Sequence, residues 1–358
     1  MKLYTEVEIP KAPWGIGHSD RLMLLGSCFA TDIGERLTDA GFRTQVNPLG
    51  ALYNPASVAV LLDRLIDKRP FAPEDIMYFG AEGYGSWEAH SLLSHPTPDE
   101  ALQVLNERLV QAWTWLRDAD VLIVTFGTAW VYRLGGNVVA NCHHEPPSRF
   151  VRERLTVDDI VHLWQPLLHR LATLRPGLRI LFTVSPIRHL RDGAHGNQLS
   201  KATLLLAVET LLRVRGEGLG AFVAMDNYQL SITHYQSSNP NPSPLTSNQT
   251  YFPSYEIVLD ELRDYRFYAD DLTHPAPLAV ERVWERFADT YFDASTRQAV
   301  RRIGEVTRAL RHRPLHSESD EYRRFVRQIL LKIAEIQKDF PYFEAGNFID
   351  QCHTLLNS

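Results

Sequence analysis

"LMLLGSCFATDIGERL", residues 22–37, reads as a buried strand followed by a helix, with a Gly-Ser-Cys turn between them. A strand-to-helix turn can hold one side chain at the mouth of an α/β sheet, where the nucleophiles of several hydrolase folds sit. Ser27 and Cys28 are the two candidates. Serine favours helix starts as a cap, and a lone cysteine after a strand often packs as a small apolar residue, so each has an ordinary structural role as well.

The rest of the chain repeats this strand-helix rhythm. Strands are expected at 21–26, 44–50, 119–127, 179–186 and 221–228, with helices near 31–41, 55–67, 98–117, 156–174, 199–215 and 277–292. Alternation of this kind predicts a doubly wound α/β fold with a parallel sheet. Two segments interrupt it: 133–153 reads as a hairpin-bearing excursion placed to cover the sheet's carboxyl edge, and 237–250, rich in Pro, Ser and Asn, reads as a surface loop. Beyond 293 the pattern is purely helical, with Phe325, Ile329, Ile333 and Ile336 at helical spacing, so the expected division is an α/β body over 1–292 and a helical extension over 293–358.

At 358 residues and 44% hydrophobic, the chain can bury a substantial core. Its formal charge of -6 comes from interleaved acids and bases, which gives no electrostatic footprint for nucleic acid and no polybasic membrane anchor. The expected partner is a small or neutral molecule. Neither a signal sequence nor a membrane-spanning run is legible, and Cys28, Cys142 and Cys352 are odd in number and far apart, so a reducing cytoplasmic setting is expected. No zinc-ligand spacing occurs, and no metal or tightly bound cofactor is expected.

Ligands of open α/β sheets bind beyond the carboxyl ends of the strands. That rule gathers Gly26, Ser27 and Cys28 after the first strand, Gly50 after the second, and Gly127 with Thr128 after the third. Asp271 and His274 stand three apart in "YADDLTHP", a spacing that on a helical turn lets the carboxylate orient the imidazole. His189, His195, Asn197 and Lys201 follow the fourth strand, where they either bind substrate or cap the next helix. Cys142 and His143 are adjacent in "NCHH" and suit a structural or substrate-loop role better than a metal. "GYGSW" at 83–87 fails the Gly-x-Ser-x-Gly elbow pattern.

Five strings in order, GSCFA at 26–30, "FGTAWVY" at 126–132, "VANCHHEPP" at 139–147, "SPIRHLRDGAHGNQLSK" at 185–201 and "YFPSYEIVLDELRDYRFYADDLTHP" at 251–275, resemble the GSCFA-domain family over most of residues 20–290. That family is grouped with the SGNH, or GDSL-like, hydrolases. The resemblance implies a flavodoxin-like three-layer fold and an esterase or acyltransferase activity. It aligns Cys28 with the nucleophilic serine of the Gly-Asp-Ser-Leu turn, Ser27 with its aspartate, Gly50 with the second glycine, and Asp271 and His274 with the Asp-x-x-His pair. One departure is plain: Gly127-Thr128-Ala129-Trp130 replaces Gly-x-Asn-Asp, so the oxyanion asparagine is missing. Loss of one such donor costs about 2.7–4 kcal/mol of barrier. Thr128, Trp130 and Asn141 are the candidate substitutes, beside the backbone N–H groups of Cys28 and Gly50.

A thiol at a helix N-terminus beside an imidazole is expected to have a depressed pKa and to attack thioesters readily. The leading expectation is therefore an acyltransferase with a Cys28-His274-Asp271 triad, taking its acyl group from a coenzyme A or carrier-protein thioester. An ester hydrolase acting on a carbohydrate or small ester is the alternative. A non-catalytic binding module is the third reading.

Overall fold

The computed structural model describes residues 5–213, 248–312 and 319–357. The expected strand at 221–228 and nearly all of the expected 237–250 loop lie outside those residues.

The chain opens with β1 (Arg21–Gly26), α1 (Cys28–Asp39), β2 (Arg43–Val46) and α2 (Pro55–Ile66). After a short hairpin, β3 (Met77–Tyr78) and β4 (Tyr84–Gly85), come α3 (Pro98–Asp118) and β5 (Val121–Phe126). The excursion follows as β6 (Trp130–Leu134), β7 (Asn137–Val139) and β8 (Val151–Arg154), and the body continues through α4 (Val157–Leu174), β9 (Arg179–Val184) and α5 (Gly193–Arg213). β10 (Gln249–Phe252), the short turn α6 (Ser254–Glu256) and α7 (Pro277–Tyr291) complete it. Three more helices, α8 (Ala294–Arg311), α9 (Asp320–Asp339) and α10 (Gly346–Asn357), end the described chain.

Among the described residues the main sheet has five strands, all parallel, in the spatial order β10-β9-β5-β1-β2. Numbered by their order in the chain, the strands run 2-1-3-4-5, which puts the topological switch point between β1 and β5. Alternate side chains divide between two cores. Met23, Leu25, Leu122 and Val124 face α2, α3, α4 and α5, while Leu22, Leu24, Val121 and Ile123 face α1 and α7. Period-two alternation with both faces apolar explains why the strands read as continuous hydrophobic runs. The helix starts are written locally: Asn54 accepts the Ser57 N–H at 2.8 Å before Pro55, and Thr156 with Asp159 forms a reciprocal capping box.

Several expectations shift. The second strand ends at Val46, because "NPLG" turns back with the Gly50 N–H on Asn47 O at 2.8 Å. The excursion does bear a hairpin, β6–β7, and β8 extends it to a three-stranded antiparallel sheet in the order β7-β6-β8. In α9 the buried stripe is Tyr322, Val326, Ile329, Ile333 and Ile336, and Phe325 is 36% exposed. Helices α8, α9 and α10 enclose their own apolar cluster and meet the body at Asp39, whose carbonyl accepts the Thr307 hydroxyl at 2.7 Å.

Candidate active site

The turn from β1 into α1 crosses close over β5. Gly26 adopts φ +136°, and a Cβ there would lie 2.1 Å from the Thr125 carbonyl oxygen, so only glycine fits. Ser27 is the N-cap in extended backbone (φ −67°, ψ 174°), yet its hydroxyl makes no cap bond and is buried without a partner. Cys28 is the first helical residue, half-buried, and lines a cleft of about 850 Å³ at the carboxyl edge of the sheet. Tyr53, Trp130, Asn141, His189 and His274 line the same cleft, and Ser27 does not. All three cysteines are free thiols.

The thiol is not electrostatically activated at rest. Burial pushes the Cys28 thiol up, and the Asp32 carboxylate one helical turn away pushes it further. The N–H groups of Cys28 and Phe29, and the Lys201 amine, act in the other direction but are outweighed. The expected depressed pKa is therefore corrected: desolvation of the thiolate outweighs the helix N-terminus. Asp32 itself is pushed up by burial and by Glu35, with His274 opposing.

Asp271 and His274 meet in a turn instead of a helix, with Leu272 between them at φ +55°. One Asp271 oxygen accepts the N–H groups of Thr273 and His274, each at 2.9 Å, and the other lies 2.5 Å from His274 Nδ1. The His274 N–H, the His274 ring and then the Thr273 N–H hold the Asp271 carboxyl down to about 2. Nδ1 is thus committed to the carboxylate, which leaves Nε2 for chemistry. Both side chains are about half exposed, at 52% and 50%, and among the described residues no hydrogen bond joins His274 to the Cys28 sulfur.

The expected oxyanion donors fare unequally. The Gly50 N–H is already given to Asn47 O, so it is removed from the set. Gly127 and Thr128 both give their N–H groups to Tyr53 O, at 2.8 and 2.9 Å. The Thr128 hydroxyl accepts the Trp130 N–H at 3.1 Å and lies 3.1 Å from Ser200 Oγ, so it braces the loop. Trp130 keeps a buried indole N–H with no partner, and Asn141 uses its carbonyl oxygen on the His143 N–H at 2.8 Å, keeping its amide N–H groups. Gly127 is a close-approach position: a Cβ would lie 2.9 Å from Tyr53 O, 3.2 Å from Ser27 Cβ and 3.6 Å from His189 Nε2.

One face of α5 clamps the loops that floor the cleft. Asn197 Oδ1 accepts the His189 N–H at 3.0 Å, Ser200 Oγ accepts the Ala129 N–H at 2.8 Å, and Lys201 Nζ donates to Gly127 O at 2.6 Å and Ser185 O at 2.7 Å. Burial lowers the Lys201 amine to about 7, and a neutral amine has the two protons that these two carbonyls accept. Burial, with Lys201 and His274 nearby, lowers His189 to about 4, so its ring is neutral at working pH. Asn197 and Lys201 are buried in this clamp, away from the cleft lining, while His195 is exposed. His143 is stacked on Phe79 and held by Glu82 (2.8 Å) and the Ser86 carbonyl (2.9 Å), which fixes the excursion to the β3–β4 region.

Residues 21–222 and 230–287 match the GSCFA family. The chain belongs to that family. A second match, to the C-terminal domain of GSCFA domain proteins, covers residues 303–358. No curated protein and no solved structure matches the chain. In this GSCFA protein the family's Gly-Ser-Cys string is the cleft-forming turn itself. Asp32, Tyr53 and His90 are site-lining or site-tuning residues that the strand-end rule did not single out. The spacing of Cys28 and Asp32, one helical turn apart, was the available signal for the first; Tyr53 and His90 carry none. No helix among the described residues is long and apolar enough to cross a membrane.

Proposed function

We propose that this GSCFA protein transfers acyl groups through Cys28, on an SGNH-like α/β fold. The observation that carries the reading is that Cys28, and not Ser27, opens into a cleft at the switch point that His189 and His274 also line. Because the thiol is neutral at rest, His274 acts as a general base through Nε2, with Asp271 fixing the ring and stabilising the imidazolium. The proton leaves the thiol as sulfur bonds to the acyl carbon. Collapse of the tetrahedral adduct breaks the bond to the donor's sulfur or oxygen, which takes the proton from His274. An acceptor hydroxyl or amine then reverses the sequence and regenerates the thiol.

The Trp130 indole and the Asn141 amide are the donors best suited to the oxyanion, with the N–H groups at the start of α1. A coenzyme A or carrier-protein thioester supplies the acyl group in this reading, since thioester-to-thioester exchange is nearly isoenergetic. Half-exposed His274 also admits water, which favours ester hydrolysis as the second reading. Incubation with acyl thioesters, followed by peptide mass spectrometry, tests the proposal. Acylation at Cys28 that persists in Ser27→Ala and vanishes in Cys28→Ala is expected. An adduct on Ser27, or turnover that survives Cys28→Ala, overturns it. Product analysis with and without sugar alcohols separates transfer from hydrolysis.

A further inference from the structure

The chain carries a formal charge of -6, yet the cleft has the opposite local balance. Its acidic lining residues are Glu145 and Asp192, and each is already paired: Glu145 with Arg149, and the nearly buried Asp192 with Arg152. Arg152 in turn lies over the Trp130 ring, with its guanidinium carbon 4.2 Å from the centroid. Two further arginines line the cleft from the loop after β9. Arg191 is exposed and stands 5.8 Å from the Tyr132 ring centroid, and Arg188 has one long hydrogen bond, 3.5 Å to Gln198 Oε1. Among the described residues neither has an ion-pair partner. Their loop is anchored from below, since Asn197 holds the His189 backbone and the Asp192 N–H closes on His189 O at 3.0 Å. Two guanidinium groups three residues apart on an anchored loop, that of Arg191 near the Tyr132 ring, present planar donor forks to an incoming anion.

We propose that this cleft selects a substrate bearing a phosphate or carboxylate group, which Arg188 and Arg191 hold while the reacting carbonyl meets Cys28. The proposal rests on the acyl-transfer reading only for the role of Cys28. The anion site itself stands on the charge balance of the cleft walls. Aromatic walls at Tyr53, Trp130 and Tyr132 would flank the uncharged part of the same molecule.

The test compares alkylation of Cys28 by iodoacetate and by iodoacetamide, which share one chemistry and differ by one charge. The full-length chain is labelled at fixed pH, at low ionic strength and again at about 0.15 M salt, where screening is stronger, and read by peptide mass spectrometry. In the Arg188→Ala/Arg191→Ala protein the iodoacetate-to-iodoacetamide ratio is expected to fall by about threefold at low salt. The iodoacetamide rate serves as the internal check on folding and should not move. Exposed Arg323→Ala, on α9, should leave the ratio unchanged, and Arg191→Ala alone should give part of the fall. A ratio that ignores both cleft arginines overturns the proposal.

Protection of Cys28 from iodoacetamide then separates the two anions: slowing by succinate assigns a carboxylate, slowing by inorganic phosphate assigns a phosphate, and slowing by neither overturns the proposal. Arginine-dependent ratios in a protein that never acylates Cys28 would remove the acyl-transfer reading and leave the anion site standing.

Discussion

Replacing Asp32 by asparagine keeps the side chain's shape and removes one negative charge a helical turn from Cys28. Side chains four apart on a helix lie about 6 Å from one another. At an effective dielectric constant of about 40, between the protein-surface and bulk values, that separation corresponds to about 1.4 kcal/mol, or one pH unit in the thiol's midpoint. The sign is fixed by the charge. An anion nearby opposes thiolate formation, so its removal lowers the midpoint and gives about tenfold more thiolate at neutral pH. A less basic thiolate is also less nucleophilic, with a Brønsted slope of about 0.4–0.5, so the net gain in labelling rate at neutral pH is about three- to fourfold. The assay is the pH profile of iodoacetamide labelling at Cys28, followed by peptide mass spectrometry with Cys142 and Cys352 as internal references. The expected profile moves about one pH unit to the acid side, with a plateau about threefold lower. An unmoved midpoint, or one displaced to the alkaline side, would refute the electrostatic account of this thiol.

Lys201→Met leaves the carbonyls of Gly127 and Ser185 buried without their donors and should cost about 2–4 kcal/mol in denaturant unfolding. Because the folded amine sits near 7 and the unfolded one near its ordinary value of about 10.4, the unfolded chain binds an extra proton between those limits. Wild-type stability should therefore rise with pH across that window relative to Lys201→Met, and a flat difference would place the charged form in the folded protein. Gly127→Ala presses a methyl against the Tyr53 carbonyl that holds two backbone amides. A loss of about 1–3 kcal/mol is expected in thermal unfolding, together with altered Cys28 labelling. Glu88→Ala strips the bidentate partner, at 2.8 Å on both arms, from Arg64, which is 2% exposed. It should destabilise by about 2–4 kcal/mol, discounted for the partial exposure of Glu88.

Much of the architecture was legible because its signals are local. The continuous apolar runs at Arg21–Gly26, Val121–Phe126 and Arg179–Val184 are strands buried on both faces, and such strands need no alternation to be recognised. Caps at Asn54, Thr97 and Thr156 mark helix starts through bonds that span only three residues. Phe325 shows the limit. The i, i+4 spacing fits two adjacent stripes of α9 equally well, and packing against α8 and α10 buried Val326 instead.

The site divides along the same line. Sequence by itself placed Gly26, Cys28, Gly127, Asp271 and His274 near the carboxyl edge, because strand ends and short motifs are written in adjacent residues. It also allowed every candidate hydrogen-bond donor to remain in play. Only the tertiary structure decided which donors are spent, since Gly50, Gly127 and Thr128 give their backbone N–H groups to carbonyls reached through turns. It decided, too, that the thiol at the helix N-terminus is held up and that Lys201 lies beneath the cleft floor. Burial and the electrostatic field at a point are sums over groups brought together from the whole chain, and no local spacing records such a sum.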